Sequence, residues 1–164
     1  MTKHGIWLIN NKNEAKLLRK KLVDFDFKKY SKKETSALIN KMRKAMKEAN
    51  GVGLSANQIG LDLNVFVAQA NNKFYAIFNP KILAVSKEKT EMEEGCLSVP
   101  EIFGTLSRHE KIVVEAYDKN GKKAKIKAWG FLAKIFQHEI DHLNGKLFID
   151  HTKNTYKYQL TADK

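Results

Sequence analysis

His138-Glu139-Ile140-Asp141-His142 sets two imidazoles four positions apart, with a carboxylate directly after the first. On a helix this spacing is about one turn, so both rings leave the same face and can share one metal ion. Glu139 falls one position on, close enough to hold and deprotonate a water without being a ligand itself. The same pattern also fits a polar helix face, and a catalytic metal site needs a third protein ligand and an open fourth position. Downstream of His142 the candidates are Asp150 and His151; upstream stands Cys96, the chain's one cysteine. A lone cysteine is more often an inert core residue. Beside two histidines at metal-binding spacing it becomes a candidate, because a thiol on a metal is a thiolate. Gly95, just before it, lets the backbone come close to a ligand.

A third stretch, Gly51-Val52-Gly53-Leu54-Ser55-Ala56-Asn57-Gln58-Ile59-Gly60, suggests a loop whose backbone approaches a ligand with the Gln58 amide nearby. Its glycine spacing fits neither a P-loop nor a dinucleotide fingerprint. Taken alone it is also compatible with a plain helix-to-strand turn.

Elements must position these groups. Residues 130–145 carry Leu132, Ile135, Phe136, Ile140 and Leu143 at helical spacing, with Gly145 available as a left-handed stop. On that helix Ile135, Lys134 and Phe131 precede His138 on the metal side, so Ile135 and Phe131, with Val52 and Met92, can line an apolar pocket. The Lys134 stem can cover this pocket while its ammonium reaches water or meets Glu91, Glu93 or Glu94. An earlier helix is predicted from Ser31, where Ser-Lys-Lys-Glu has capping-box form, to Asn50-Gly51, with Leu38, Met42, Ala45, Met46 and Ala49 on one face. Residues 64–69 and 74–78 read as a hairpin, and so do 111–117 and 122–129 around Asp118-Lys119-Asn120-Gly121. Helix, several strands, then helix predicts an α+β fold, mostly antiparallel, packed around the helix that carries the histidines.

The 164 residues suit one domain, 1–164, ending in a short polar tail over 151–164. No apolar run is long enough for a membrane helix. Neither a secretory signal nor a transit segment is visible, and the single cysteine suits a reducing compartment, so a cytoplasmic setting is expected. The net charge of +12 makes a polyanionic neighbour such as RNA or the ribosome electrostatically reasonable, although scattered lysines also suit a merely soluble surface.

In this order Gly-Val-Gly-Leu-Ser-Ala-Asn-Gln, Glu-Gly-Cys-Leu-Ser and Gln-His-Glu-Ile-Asp-His closely resemble the signatures of the peptide deformylases, over about residues 31–150. The resemblance implies a metal-dependent hydrolase that removes the formyl group from the formyl-methionine of new chains and releases formate. It makes Cys96, His138 and His142 the metal ligands and Glu139 the general acid and base. Gln58 and the N–H of Leu97 become donors to the carbonyl oxygen. Val52, Gly53, Gly95, Phe131 and Ile135 become the substrate pocket. Arg108 matches an arginine expected just behind the ligands, near Asp141 or the acidic run. Cys/His/His ligation alone makes zinc the default, whereas the resemblance implies Fe²⁺, with Zn²⁺, Ni²⁺ or Co²⁺ able to occupy the site.

There are departures from the family pattern. Ser55 and Asn57 replace residues that are often Ala and Pro or Thr, and Phe103 stands near the place of a second arginine. The polar tail is too short for the long basic helix that common bacterial members use on the ribosome. Short-tailed members occur in bacteriophages and some organelles, so a phage or bacterial cytoplasm is expected, with any ribosome association resting on the general positive charge. The competing readings are an HExxH peptidase with a different third ligand, and a basic RNA-binding module with a structural metal and four protein ligands.

Overall fold

The computed structural model describes residue 2 and residues 4–157. Three α-helices and eight strands lie among these residues: α1 (Lys12–Leu18), α2 (Lys32–Glu48), β1 (Gly53–Ser55), β2 (Val65–Ala70), β3 (Lys73–Val85), β4 (Lys89–Cys96), β5 (Val99–His109), β6 (Lys111–Tyr117), β7 (Lys123–Trp129), α3 (Gly130–Leu143) and β8 (Thr155–Lys157). Five strands form one sheet in the order β1-β2-β3-β6-β7, and three form another in the order β4-β5-β8. Every strand pair is antiparallel, so the fold is α+β.

Local chemistry accounts for the ends of the elements. The Ser31 hydroxyl accepts from the Glu34 N–H at 3.2 Å, and the Glu34 carboxylate accepts from the Ser31 N–H at 2.7 Å, closing the expected capping box. Asn71 and Asn72, with φ of 49° and 60°, make the tight turn between β2 and β3, where asparagine tolerates the left-handed region. Gly145 adopts φ of 73° just beyond α3, as anticipated.

β2 is buried on both faces. Its Val65 and Val67 pack with Met42 and Met46 of α2, while Phe66 and Ala68 pack with Phe136 and Ile140 of α3. The Phe66 and Phe136 rings meet edge to face at 5.1 Å; each fully buried ring contributes about 1.5–3 kcal/mol. A third cluster, Val99, Leu106, Leu147 and Phe148, ties the small sheet to the segment after α3. All five apolar α3 positions named above are buried. The face of α2 is rotated from expectation: Thr35, Ile39, Met42 and Met46 are its buried residues, and Leu38, Ala45 and Ala49 flank them half-buried. Side chains lean toward the helix N-terminus, and Ile39 packs with β2, while the Thr35 hydroxyl donates to the Ser31 carbonyl at 3.0 Å.

Two stretches differ from their sequence reading. Residues 51–60 are more than a turn: Gly53–Ser55 pair with Phe66–Ala68 at the sheet edge, and Ala56–Ile59 then make one 3₁₀ turn. Within the expected polar tail, Thr155–Lys157 add a strand to β5, and 158–164 lie outside the described residues. Among the described residues no helix is long and apolar enough to cross a membrane.

Candidate metal centre

α3 delivers His138 and His142 from one face, and β4 ends on Cys96 directly opposite them. Cys96 Sγ lies 3.1 Å from His142 Nε2, and the two Nε2 atoms are 3.3 Å apart. All three donor atoms lie within 4.8 Å of one another. Neighbouring donors on a tetrahedral ion at ordinary bond lengths are separated by about 3.3–3.6 Å, so the set fits a cation. Asp150 and His151 are turned elsewhere: Asp150 pairs with Arg19, and His151 Nε2 lies 2.9 Å from Asp141 Oδ2.

Charges behind the ligands fix their orientation. His138 turns Nε2 to the centre and donates Nδ1–H to Glu94 Oε2 at 2.9 Å, which sets the tautomer a metal ligand needs. Arg108 grips Glu94 with two donors, at 2.7 and 3.0 Å, and reaches Asp141 Oδ2 with a third at 2.6 Å. Burial alone would raise Glu94, but the hydrogen bonds from His138 and Arg108 outweigh it and hold the carboxyl at about 2. Burial, then the positive charges of His138 and Arg108, press His142 well toward its neutral form, the form that offers a lone pair to a metal. His138 is pulled upward: burial opposes its charge, yet the bonds to Cys96 and Glu94 prevail.

Glu139 is buried, and its Oε2 has no hydrogen-bond partner among the described residues. Burial pushes its carboxyl up to about 7, against the pull of His138; a cation at the ligands would pull it back down. An orphaned buried carboxylate is costly unless the site gives it a task. Gly53 makes room for it, since a Cβ there would collide with Glu139 Oε1 and lie 2.8 Å from Cδ. Gly53→Ala should therefore push the carboxylate aside and lower kcat about 100-fold, the usual cost of a misplaced catalytic group. The melting temperature of the variant should fall only modestly, because the obstacle is the Glu139 side chain rather than backbone.

Gln58 is held by its acceptor end. The Ser55 N–H can only donate, and it donates to Gln58 Oε1 at 3.0 Å, which turns the Gln58 amide NH₂ to Ser98 Oγ at 3.1 Å and Cys96 Sγ at 3.7 Å. Asn57 Nδ2 donates to the His142 carbonyl at 3.0 Å and ties this turn to α3. Leu97 occupies the two-residue turn between β4 and β5. In front of these groups lies a cavity of about 510 Å³, lined by Val52, Gly53, Gln58, Met92, Gly95, Cys96, Leu97, Phe131, Lys134, Ile135, His138 and Glu139. The predicted pocket residues thus share one cavity. Phe103 packs over Gly95, where a Cβ would sit 2.7 Å from its ring, and stacks near Tyr156 at 6.2 Å.

One expectation is corrected. Lys134 lines the cavity, but its ammonium faces Glu110 Oε2 at 3.9 Å rather than Glu91, Glu93 or Glu94. The Glu110 carbonyl accepts the Gly130 N–H at 2.9 Å, which draws that corner over the first turn of α3. Ser98 was missed as part of the site, and Glu94 was named only within the acidic run expected near Arg108 and Lys134, not as the partner of His138.

A helix-borne histidine pair, a cysteine on the facing hairpin and a buried carboxylate over a cavity could hold a metal ion and are the parts a metal-assisted hydrolase would need. Comparison with known proteins narrows the class. The polypeptide deformylase family model matches residues 8–158. A peptide deformylase of Syntrophobacter fumaroxidans is 47% identical over 118 residues, 69% of each chain, and one of Karelsulcia muelleri is 45% identical over 138 residues, 81% of this chain and 71% of its own. The solved Thermotoga maritima peptide deformylase superposes with a TM-score of 0.82 at 34% identity, covering 90% of this chain and 96% of the other. The chain belongs to the peptide deformylase family, the hydrolases that remove the formyl group from the N-terminal formyl-methionine of newly made polypeptides.

Proposed function

We propose that Cys96, His138 and His142 hold one divalent cation, Fe²⁺ in the working enzyme, and that Glu139, Gln58 and the Leu97 N–H carry out deformylation beside it. The observation that carries this reading is the convergence of three donor atoms within 4.8 Å on one cavity with a buried, partnerless carboxylate oxygen. Thiolate and imidazole donors suit Zn²⁺, Ni²⁺ and Co²⁺ as well, so these substitute; the choice of Fe²⁺ rests on the family resemblance. When bound, the cation acidifies water and polarises the formyl carbonyl.

The protein's own groups do the rest. Glu139 takes a proton from the attacking water and, after the C–N bond breaks, returns it to the leaving amine, so that water and a formamide become formate and a free N-terminus. The Gln58 amide and the Leu97 N–H donate to the tetrahedral oxyanion as its charge develops. Because Ser55 pins the acceptor end of Gln58, its donor end is preorganised and pays no reorganisation during the reaction. Gln58→Ala should lower kcat about 10²- to 10³-fold with KM little changed, the effect of losing one oxyanion donor.

Val52, Met92, Phe131 and Ile135 form the apolar part of the cavity and receive the methionine side chain, with the Lys134 stem beside them. Gly53 and Gly95 let the two flanking backbones approach the peptide. A related Acinetobacter baumannii peptide deformylase has been solved with Met-Ala-Ser bound; it superposes with a TM-score of 0.82 at 30% identity, covering 89% of this chain and 97% of its own. It supports a peptide N-terminus as the occupant. The setting is cytoplasmic, and the +12 surface associates with ribosomes electrostatically.

Protein prepared without oxygen should release formate from formyl-Met-Ala and leave acetyl-Met-Ala and internal peptide bonds intact. Cleavage of internal bonds without formate release would overturn the reading in favour of a peptidase.

A further inference from the structure

The β6–β7 hairpin has one covered and one bare side. Its ladder pairs Lys111 with Trp129, Val113 with Lys127, Glu115 with Lys125 and Tyr117 with Lys123, and β3 adds Lys81 opposite Glu115. Side chains alternate across a strand, so these nine leave the sheet together. Ile112, Val114, Ala116 and Ala128 leave it on the other side and are buried with α3. Further along the sheet the same side is covered at β2 and the first half of β3, where Val65, Val67, Ala76 and Phe78 pack with α2 and Phe25, and at the hairpin's end Tyr117 meets Phe27 at 6.1 Å. Over β6–β7 the lysines are exposed, and the Trp129 side chain is 67% exposed. A groove here is lined by Ala84, Val113 and Trp129 together with Lys111 and Lys127. Glu115, which Lys123 meets at 3.2 Å, stands against five lysines.

We propose that this face binds single-stranded RNA, with the lysine rows on phosphates and the Trp129 indole against a base. Lysines on an edge strand do serve solubility and block pairing with other sheets, but neither purpose calls for an indole exposed among them. Positive charge that tracks a strand, joined to an aromatic stacking surface, is the combination that takes unpaired nucleic acid. An anionic membrane would need a continuous apolar face to enter the headgroup layer, and Trp129, Val113 and Tyr117 interleaved with five lysines do not make one. Trp129 immediately precedes α3, and Phe131 two positions on lines the catalytic cavity, so RNA held here lies beside the cavity mouth. The proposal names a face and a chemistry for the ribosome association above and rests on that reading for its setting alone.

Fluorescence anisotropy of a labelled oligouridylate of about twelve nucleotides tests it. Wild-type protein should bind, with log K falling by about 0.7 per neutralised phosphate for each decade of salt. Lys123→Glu/Lys125→Glu/Lys127→Glu should weaken binding at least tenfold and flatten that slope by about two; Trp129→Ala should weaken binding with the slope unchanged. Unaltered formate release from free formyl-Met-Ala by the triple variant shows that it is folded. The assignment is overturned by absence of RNA binding, by an equal loss in the α2 variant Lys32→Glu/Lys33→Glu/Lys41→Glu, or by anionic vesicles competing the oligonucleotide away. If wild-type protein fails to co-sediment with ribosomes while oligouridylate binding still depends on this face, the ribosomal setting falls and the RNA face stands.

Discussion

Glu139→Gln should lower kcat for formate release by about 10³- to 10⁴-fold, the upper range for loss of a general acid and base, with the metal content of the protein unchanged. Glutamine has the same shape and reaches the same place beside Gly53, but it can neither take the proton from water nor return it to the amine. It leaves Cys96, His138 and His142 as they are, so binding of the ion is unaffected. Burial opposes the ionised Glu139 carboxyl while a bound cation would favour it, so the neutral isostere should leave the melting temperature little changed. Steady-state kinetics, elemental analysis and a thermal melt on one preparation check all three parts. A variant that keeps more than a tenth of the activity would assign the proton transfer to another group.

Arg108→Met should destabilise the protein by about 3–5 kcal/mol, the cost of leaving buried charge without its partner. Arg108 and Glu94 are both buried, and Arg108 also holds Asp141, so the variant leaves the buried Glu94 with His138 as its one remaining cationic partner and Asp141 with His151. A total stability of about 5–15 kcal/mol is usual for such a chain, which makes this a large share. Adding Glu94→Gln should return part of the loss. The pH dependence follows from the depressed Glu94 carboxyl. Its contribution is fully present above its ordinary value of 4.5 and is lost as the pH falls through about 2. The gap between wild type and Arg108→Met in urea unfolding of chelator-treated protein should accordingly narrow between those two pH values. A constant gap would mean that Arg108 stabilises by packing rather than through charge.

How much of this could be read from the residues differs from element to element. α3 was legible because its apolar positions repeat at the helical period and its histidines are four apart, two signals that depend on nothing distant. The Ser31–Glu34 capping box and the Asn71-Asn72 turn are equally local. β4 was not legible. Lys89–Cys96 carries charge at half its positions, and it is a strand because β5 pairs with it along its length. Cys96 therefore meets His142 through a hairpin whose course no local preference announces; thiol chemistry beside the histidine pair made it a candidate, and the family resemblance made it the ligand. β2 showed no alternation because helices cover both of its faces. Helical spacing placed Lys134 at the cavity, but its partner Glu110 arrives from the corner between β5 and β6, a tertiary circumstance that spacing cannot encode. Ser98, which receives the Gln58 amide, was hidden for the same reason.

The proposed function requires Cys96 to complete a metal site with His138 and His142. Elemental analysis of protein purified without oxygen, wild type beside Cys96→Ala, tests it most directly. The wild type should carry about one transition-metal ion per chain, as one three-ligand site requires. The variant should carry less than about a tenth of that and release no formate, since two imidazoles alone hold such an ion weakly. A Cys96→Ala protein that keeps a full equivalent of metal and deformylates formyl-Met-Ala at the wild-type rate would contradict it.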